Sequence, residues 1–215
     1  MICRFVAALI MVGMSGPAWA GFEEGMVAFE RYDYAAALEE WRPLAEQGDP
    51  AAQFRLGDMY RQGRGVRRDA AEAVRWYHGA AEQGHPEAQF WLAKMYETGR
   101  GVERQDIAQA VRWFAAAAAR GKVEAMRSLG ERYASGEGVK PDLVTAHKWL
   151  AIAARRGNNV DGFLAESKLR ELAARMTPEQ IQKAEALVRD WTPKRGPVDP
   201  KGMVEQPAQS PEPAG

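Results

Sequence analysis

Apolar residues in the middle of the chain recur at intervals of three and four, the period of a helix with one buried face. Ala52, Leu56 and Tyr60 share one such face. A second stripe runs through Ala73, Trp76 and Ala80, and returns at Ala110, Trp113 and Ala117 and at Ala146, Trp149 and Ala153. Polar and glycine-rich stretches separate the stripes. Gly63-x-Gly65, Gly99-x-Gly101 and Gly136-x-Gly138 stand where a first helix must end, because glycine accepts the left-handed backbone of a C-cap. Asp69, Asp106 and Asp142 follow, each placed to cap the N-terminus of a second helix. The pattern predicts pairs of antiparallel helices.

The pairs are copies of one another. Segments beginning at Pro50, Pro86 and Val123 align at spacings of 36 and 37 residues. They read P-A-A-Q-F-R-L-G-D-M-Y-R-Q-G-R-G-V, P-E-A-Q-F-W-L-A-K-M-Y-E-T-G-R-G-V and V-E-A-M-R-S-L-G-E-R-Y-A-S-G-E-G-V. Each continues to a tryptophan (Trp76, Trp113, Trp149), an alanine pair and a glycine eight residues past the tryptophan. The one extra residue falls between Val102 and Asp106. Gly57 and Gly130 sit beside the conserved-position leucine of their repeats, where a missing side chain lets a second helix approach; Ala93 takes that place in the middle copy. The glycine loops are not phosphate loops: no G-x-x-x-x-G-K-[ST] occurs, and no strand pattern precedes them.

The motif L-G-x-x-Y-x-x-G-x-G-V, then D, A-x-x-W and A-A-x-x-G, is similar to the Sel1-like repeat, a relative of the tetratricopeptide repeat. The resemblance covers repeats at 50–85, 86–122 and 123–158. It implies an all-α fold, a right-handed superhelical solenoid of helix pairs, and a role as an adaptor in protein complexes. Residues 22–49 resemble a degenerate opening repeat, with Tyr32 to Leu38 and Trp41 but no glycine loop. Residues 160–191 depart from the repeat. They predict two capping helices with a polar outer side, the second starting at Thr177-Pro178-Glu179-Gln180 and carrying Ile181, Ala184, Leu187, Val188 and Trp191 on one face. Residues 192–215 hold six prolines in 24 positions without hydrophobic periodicity, and predict a disordered tail.

The N-terminus has a different character. Arg4 precedes an apolar run from Phe5 to Met14, and Pro17 precedes Ala18-Trp19-Ala20. This is the layout of a secretory signal peptide, residues 1–20, cleaved to leave a repeat domain over 21–191 in the periplasm or outside the cell. The apolar run is too short to span a bilayer comfortably, and nothing later is apolar for long enough, so no stable membrane insertion follows cleavage. Cys3, the only cysteine, lies within the signal. Without Arg4, 28 basic residues face 29 acidic ones. That balance gives no electrostatic reason to expect nucleic acid.

Catalytic and metal-binding patterns are not in evidence. His78, His85 and His147 fall at different repeat positions and outside H-E-x-x-H spacing. Ser128, Ser135, Ser167 and Ser210 lie outside G-x-S-x-G and S-x-x-K patterns. No cofactor is expected. Some cysteine-rich relatives of the repeat family act as β-lactamases. A hydrolase acting on a cell-wall or antibiotic substrate is therefore the second reading, although their disulfide cysteines are missing here and no catalytic residue carries over.

The favoured reading is an exported, non-enzymatic scaffold for another protein or peptide. At about 100° per residue, the side of the first helices away from Leu56 and Tyr60 carries Phe54, Asp58 and Arg61, then Phe90, Lys94 and Glu97, then Arg127 and Glu131. In related superhelices the first helices line the concave face, so these residues are expected to face the groove. Their signs alternate, which serves either solubility or a charge code for a partner. Trp91 stands where the other repeats have Arg55 and Ser128. With Phe90 beside it, Trp91 is the candidate aromatic anchor.

Overall fold

The computed structural model describes residues 18–158 and 160–194. Most of the expected signal, Met1 to Pro17, and the tail from residue 195 onward lie outside the described residues. Ten helices occur among the described residues, and no strand. They are α1 (Ala18–Glu30), α2 (Tyr34–Glu46), α3 (Pro50–Gln62), α4 (Ala70–Glu82), α5 (Pro86–Thr98), α6 (Ile107–Ala119), α7 (Val123–Ser135), α8 (Leu143–Arg156), α9 (Val160–Ala173) and α10 (Pro178–Arg189). Helix α1 runs across the expected cleavage point after Ala20. Each odd helix from α1 to α7 packs on the even helix that follows, and α2, α4 and α6 pack on the next pair. This is the order of a solenoid, in which each unit touches its neighbours alone.

The caps sit where the repeat places them. Asp69 accepts hydrogen bonds from the Ala71 and Glu72 amides at 2.9 and 3.1 Å, and Asp106 accepts from Gln109 N–H at 2.9 Å. Gly63, Gly99 and Gly136 close α3, α5 and α7 in the left-handed region, with φ of 73°, 70° and 80°. The second glycine of each loop has a separate task. A Cβ on Gly101 would stand 2.1 Å from the Ala70 carbonyl oxygen, and one on Gly138 would stand 2.9 Å from the carbonyl of Ile107. Each loop is therefore pressed onto the start of the second helix one repeat earlier.

The opening pair is anchored by Trp41, fully buried, whose indole N–H donates to the Phe22 carbonyl at 3.1 Å. The core divides inside the first full repeat. Leu56, Met59 and Trp76 join Trp41 in an N-terminal cluster, while Phe54, Ala73 and Tyr77 join the larger cluster that runs on to Val188. One first helix thus feeds two cores.

The C-terminal helices depart from a simple polar cap. Helix α9 takes the first-helix place against α7 and α8, whereas α10 packs on α8, and α9 and α10 scarcely touch. The capping box forms as expected, with Thr177 Oγ1 accepting from Gln180 N–H at 3.3 Å and Gln180 Oε1 accepting from Thr177 N–H at 2.9 Å. The outer side of α9 mixes charge with apolar surface: Glu166, Lys168 and Glu171 are exposed, and so are Val160 at 71% and Phe163 at 66%. Beyond α10, Trp191 meets Trp149 edge-on at 6.2 Å, and the Lys194 amide donates to the Ala119 carbonyl at 2.8 Å. Residues 192–194, expected to begin the loose tail, instead form a strap leading back to α6.

Candidate functional site

The first-helix residues singled out from sequence fall into three groups, each of which ties one repeat to the next. The first is centred on Arg61. Its Nε donates to Asp58 Oδ1 at 3.1 Å and to the Tyr77 oxygen at 2.9 Å, and the Tyr77 hydroxyl donates to the same Asp58 oxygen at 2.7 Å. The guanidinium then lies 3.9 Å from the centroid of the Trp91 ring in the following repeat. Burial works against the charge on Arg61, but Tyr77 and Asp58 outweigh it and hold its pKa above the usual value. Burial pushes the Tyr77 hydroxyl far up, and Asp58 adds to the shift. Tyr77 therefore stays a neutral donor.

The second group begins at Lys94, which pairs with Glu97 in its own helix. Glu97 also accepts from Arg132 Nη2, one repeat later, at 2.5 Å, and Arg132 pairs with Glu137. Burial alone would raise the Glu97 carboxyl. Lys94 and Arg132 reverse that and hold it below the ordinary carboxylate range. The third group joins α7 to α9: Arg127 donates to Glu131 at 2.9 Å and to Asp161 at 3.0 Å. The charges that alternate along this face are thus paired within the array.

The aromatic residues are set deeper than a helical wheel suggests. Phe54 is buried at 9% exposure, stacked on the His85 ring at 4.7 Å and 21° and lying 5.9 Å from Tyr77. It packs in the core and does not stand in an open groove. The wheel assigns a helix one buried face, but a solenoid helix also packs against the repeat beyond it. Phe90 and Trp91 are half-buried, 5.6 Å apart and near edge-on, with Phe90 leaning on Phe114 at 5.8 Å. A recess of about 150 Å³ opens beside Trp91, bounded by Arg61, Arg68, Lys94 and Arg100. A larger one of about 460 Å³ lies between α7 and α9, bounded by Glu131, Arg132, Ser135, Lys168 and Arg175.

Three contributors were not singled out from sequence. Tyr77 lay hidden among helical apolar positions. Arg132 occupies the place of Met59 and Met95, so a charge in a methionine column was the available signal. His85 takes the N-cap place of Asp49, its Nδ1 accepting from Ala88 N–H at 3.2 Å. The histidines remain apart: His78 faces Glu82 at 3.5 Å, His85 caps α5 and His147 is buried in α8. No group of three or more His, Cys, Asp or Glu is placed to hold a metal among the described residues, and no helix there is long and apolar enough to cross a membrane.

Stacked helix hairpins joined by repeated glycine loops, with their polar face knitted from one hairpin to the next, define an α-solenoid of the tetratricopeptide-like class. The Sel1 repeat profile matches residues 50–85, 86–122 and 123–158, and the chain belongs to the Sel1 repeat family. Among solved structures it is similar to a Sel1 repeat protein from Oxalobacter formigenes, at 26% identity and a TM-score of 0.66, over 79% of this chain and 68% of that one. It is also similar to a protective antigen present in uropathogenic Escherichia coli strains that displays an SLR fold, at 28% identity and a TM-score of 0.51. That match covers 93% of this chain, which spans half the length of the antigen. Among curated proteins none matches the chain significantly. Sel1 repeats generally serve as scaffolds for protein–protein interaction, and the fold is typically non-catalytic.

Proposed function

We propose that this chain is an exported scaffold that holds a protein or peptide partner against its first-helix face and regulates or assembles components of the bacterial cell envelope. The observation that carries the reading is the half-buried Phe90–Trp91 pair beside the 150 Å³ recess. A tryptophan with one face packed and one edge open is pre-ordered, so a partner gains contact area at little entropic cost. Arg61 and Lys94 line the same recess with their charges already paired, to Asp58 and Glu97, which favours polar contacts around an aromatic anchor. Phe54 lies in the core against Tyr77 and His85, and Asp58, Arg127 and Glu131 extend the polar border along the array. Export rests on the Arg4, Phe5–Met14 and Ala18-Trp19-Ala20 pattern, with Gly21 as the first mature residue.

The test is an affinity capture from envelope extracts with the mature chain, followed by quantitative binding of the captured protein to Trp91→Ala. Binding should weaken by about 2 kcal/mol or more. Loss of the Arg61 stack should lower stability by no more than about 1 kcal/mol. If Trp91→Ala unfolds the array while binding persists in the folded fraction, Trp91 is a packing residue and the face loses its anchor. Sequencing the N-terminus of periplasmic protein tests export separately, since intact Met1 protein confined to the cytosol would contradict it.

A further inference from the structure

A second site lies on the other helices of the array, at the C-terminal end. The strap Trp191–Lys194 crosses α8 and, with the loop before that helix, encloses a recess of about 640 Å³. Trp149 and Trp191 wall it, meeting edge-on at 6.2 Å. Three ammonium groups border it: Lys140 from the loop, Lys148 from α8 and Lys194 from the strap. Lys148 Nζ is held 4.7 Å from the centroid of the Trp149 ring.

The corresponding place in the first full repeat makes a useful contrast. There Arg75 lies 4.7 Å from the centroid of the Trp76 ring, and Glu72 neutralises it at 2.8 Å. In the third repeat the position of Glu72 is taken by Thr145, whose hydroxyl donates to Asp142 at 2.6 Å. Asp142 is itself occupied by the Val144 and Thr145 amides as an N-cap. The cation over the tryptophan is thus retained, its carboxylate is gone, as at Gln109 of the middle repeat, and here the strap brings a second ammonium to the same recess. Among the described residues none of the three lysines has an ion-pair partner. Burial and the nearby Lys194 both press the Lys148 pKa below its usual value, the direction expected for a half-buried ammonium beside a like charge.

We propose that this recess binds a free oxyanion carrying more than one negative charge, of the phosphate or phosphomonoester class, with Lys148 and Lys194 as its main contacts and Lys140 at its mouth. Such an anion relieves the repulsion between the lysines, and the tryptophans give it an apolar wall on one side. The site is separate from the first-helix face and stands whether or not that face binds a partner.

Inorganic phosphate is the probe, titrated into the full-length, ¹⁵N-labelled protein at constant ionic strength. The indole N–H resonances of Trp149 and Trp191 should shift saturably. Lys148→Met keeps the apolar stem over the ring and should weaken binding about tenfold or more, as expected for a lost charge-assisted hydrogen bond. Lys194→Gln should weaken it as well, and because Lys194 is exposed this variant carries the test if Lys148→Met folds poorly. Lys168→Met, on α9, should bind as the parent does. A response that does not saturate, or that is equal in Lys194→Gln, or that Lys168→Met reduces as strongly, would overturn the proposal.

Discussion

Gly57 lies in α3 with its Cα facing the ring of Tyr77, and a Cβ there would come within 2.6 Å of that ring. Tyr77 cannot easily give way, because Asp58 and Arg61 fix its hydroxyl. Gly57→Ala gains about 1 kcal/mol of helix propensity but crowds a packed interface, which costs about 1–3 kcal/mol. Net destabilisation is expected, read as a lower urea midpoint; an unchanged or higher midpoint would show that the ring has room to move. His85 carries a second prediction at this scale. Burial, aided by Arg55 and Lys122 against the pull of Glu87 and Asp49, depresses its folded pKa below the usual 6.5. Its Nδ1 must also remain an acceptor for Ala88 N–H. A depressed pKa means that the unfolded chain takes up the proton first, so stability is intact above pH 6.5 and falls as pH drops toward the folded value. His147, depressed mainly by burial, adds in the same direction. His85→Asn keeps a capping acceptor without the titration, and should flatten, without abolishing, the loss of melting temperature between neutral and mildly acidic pH.

Elements in this protein are bounded by short polar devices more than by propensity. Helix α10 begins at a reciprocal capping box, buries Ala184, and is held to α8 by Val188, by Trp191 just past its end, and by an Arg155–Glu185 pair at 2.6 Å. That is a small apolar contact for twelve residues, so the cap matters to docking as well as to the helix. Thr177→Ala should cost about 1 kcal/mol. Hydrogen exchange should rise in α10 and in the Lys194 amide of the strap before it rises in α3 to α8. Uniform acceleration across the chain would mean that α10 unfolds only with the whole array.

At the scale of the whole molecule, cooperativity depends on contacts between repeats, since a solenoid has few others. The Lys94–Glu97–Arg132–Glu137 chain bridges the second and third full repeats. Glu97→Gln leaves Arg132 with one partner in a place where the other repeats bury methionine, and should cost about 1–3 kcal/mol. The urea transition should broaden as the two halves of the array uncouple. Adding Arg132→Met should restore much of the loss, because it removes the guanidinium left short of a partner and puts back the methionine of the other repeats. Failure of the double variant to recover would show that the methionine column is not equivalent across repeats.

The helical period, the glycine loops and the aspartate caps were legible in residues alone because they are local: a C-cap needs glycine at Gly63 whatever the rest of the chain does. Threefold recurrence then made the solenoid legible too, since similar hairpins that cannot bury their apolar faces alone do so by stacking. The site was legible only in part. Sequence reasoning found Phe90, Trp91, Lys94 and Arg127 on the right helices but could not assign their partners, because Arg61 meets Trp91 and Arg127 meets Asp161 across repeat boundaries 30 and 34 residues away. The same limit hid Phe54 in the core: a single helical wheel has one inside, and α3 has two. Trp191 was legible as part of the apolar face of α10, but the strap at residues 192–194 followed no local rule. A proline-rich sequence without periodicity reads as loose chain, and only the tertiary structure, by bringing Trp149 and the Ala119 carbonyl within reach, gave those residues an apolar surface and a hydrogen-bond acceptor that hold them in place.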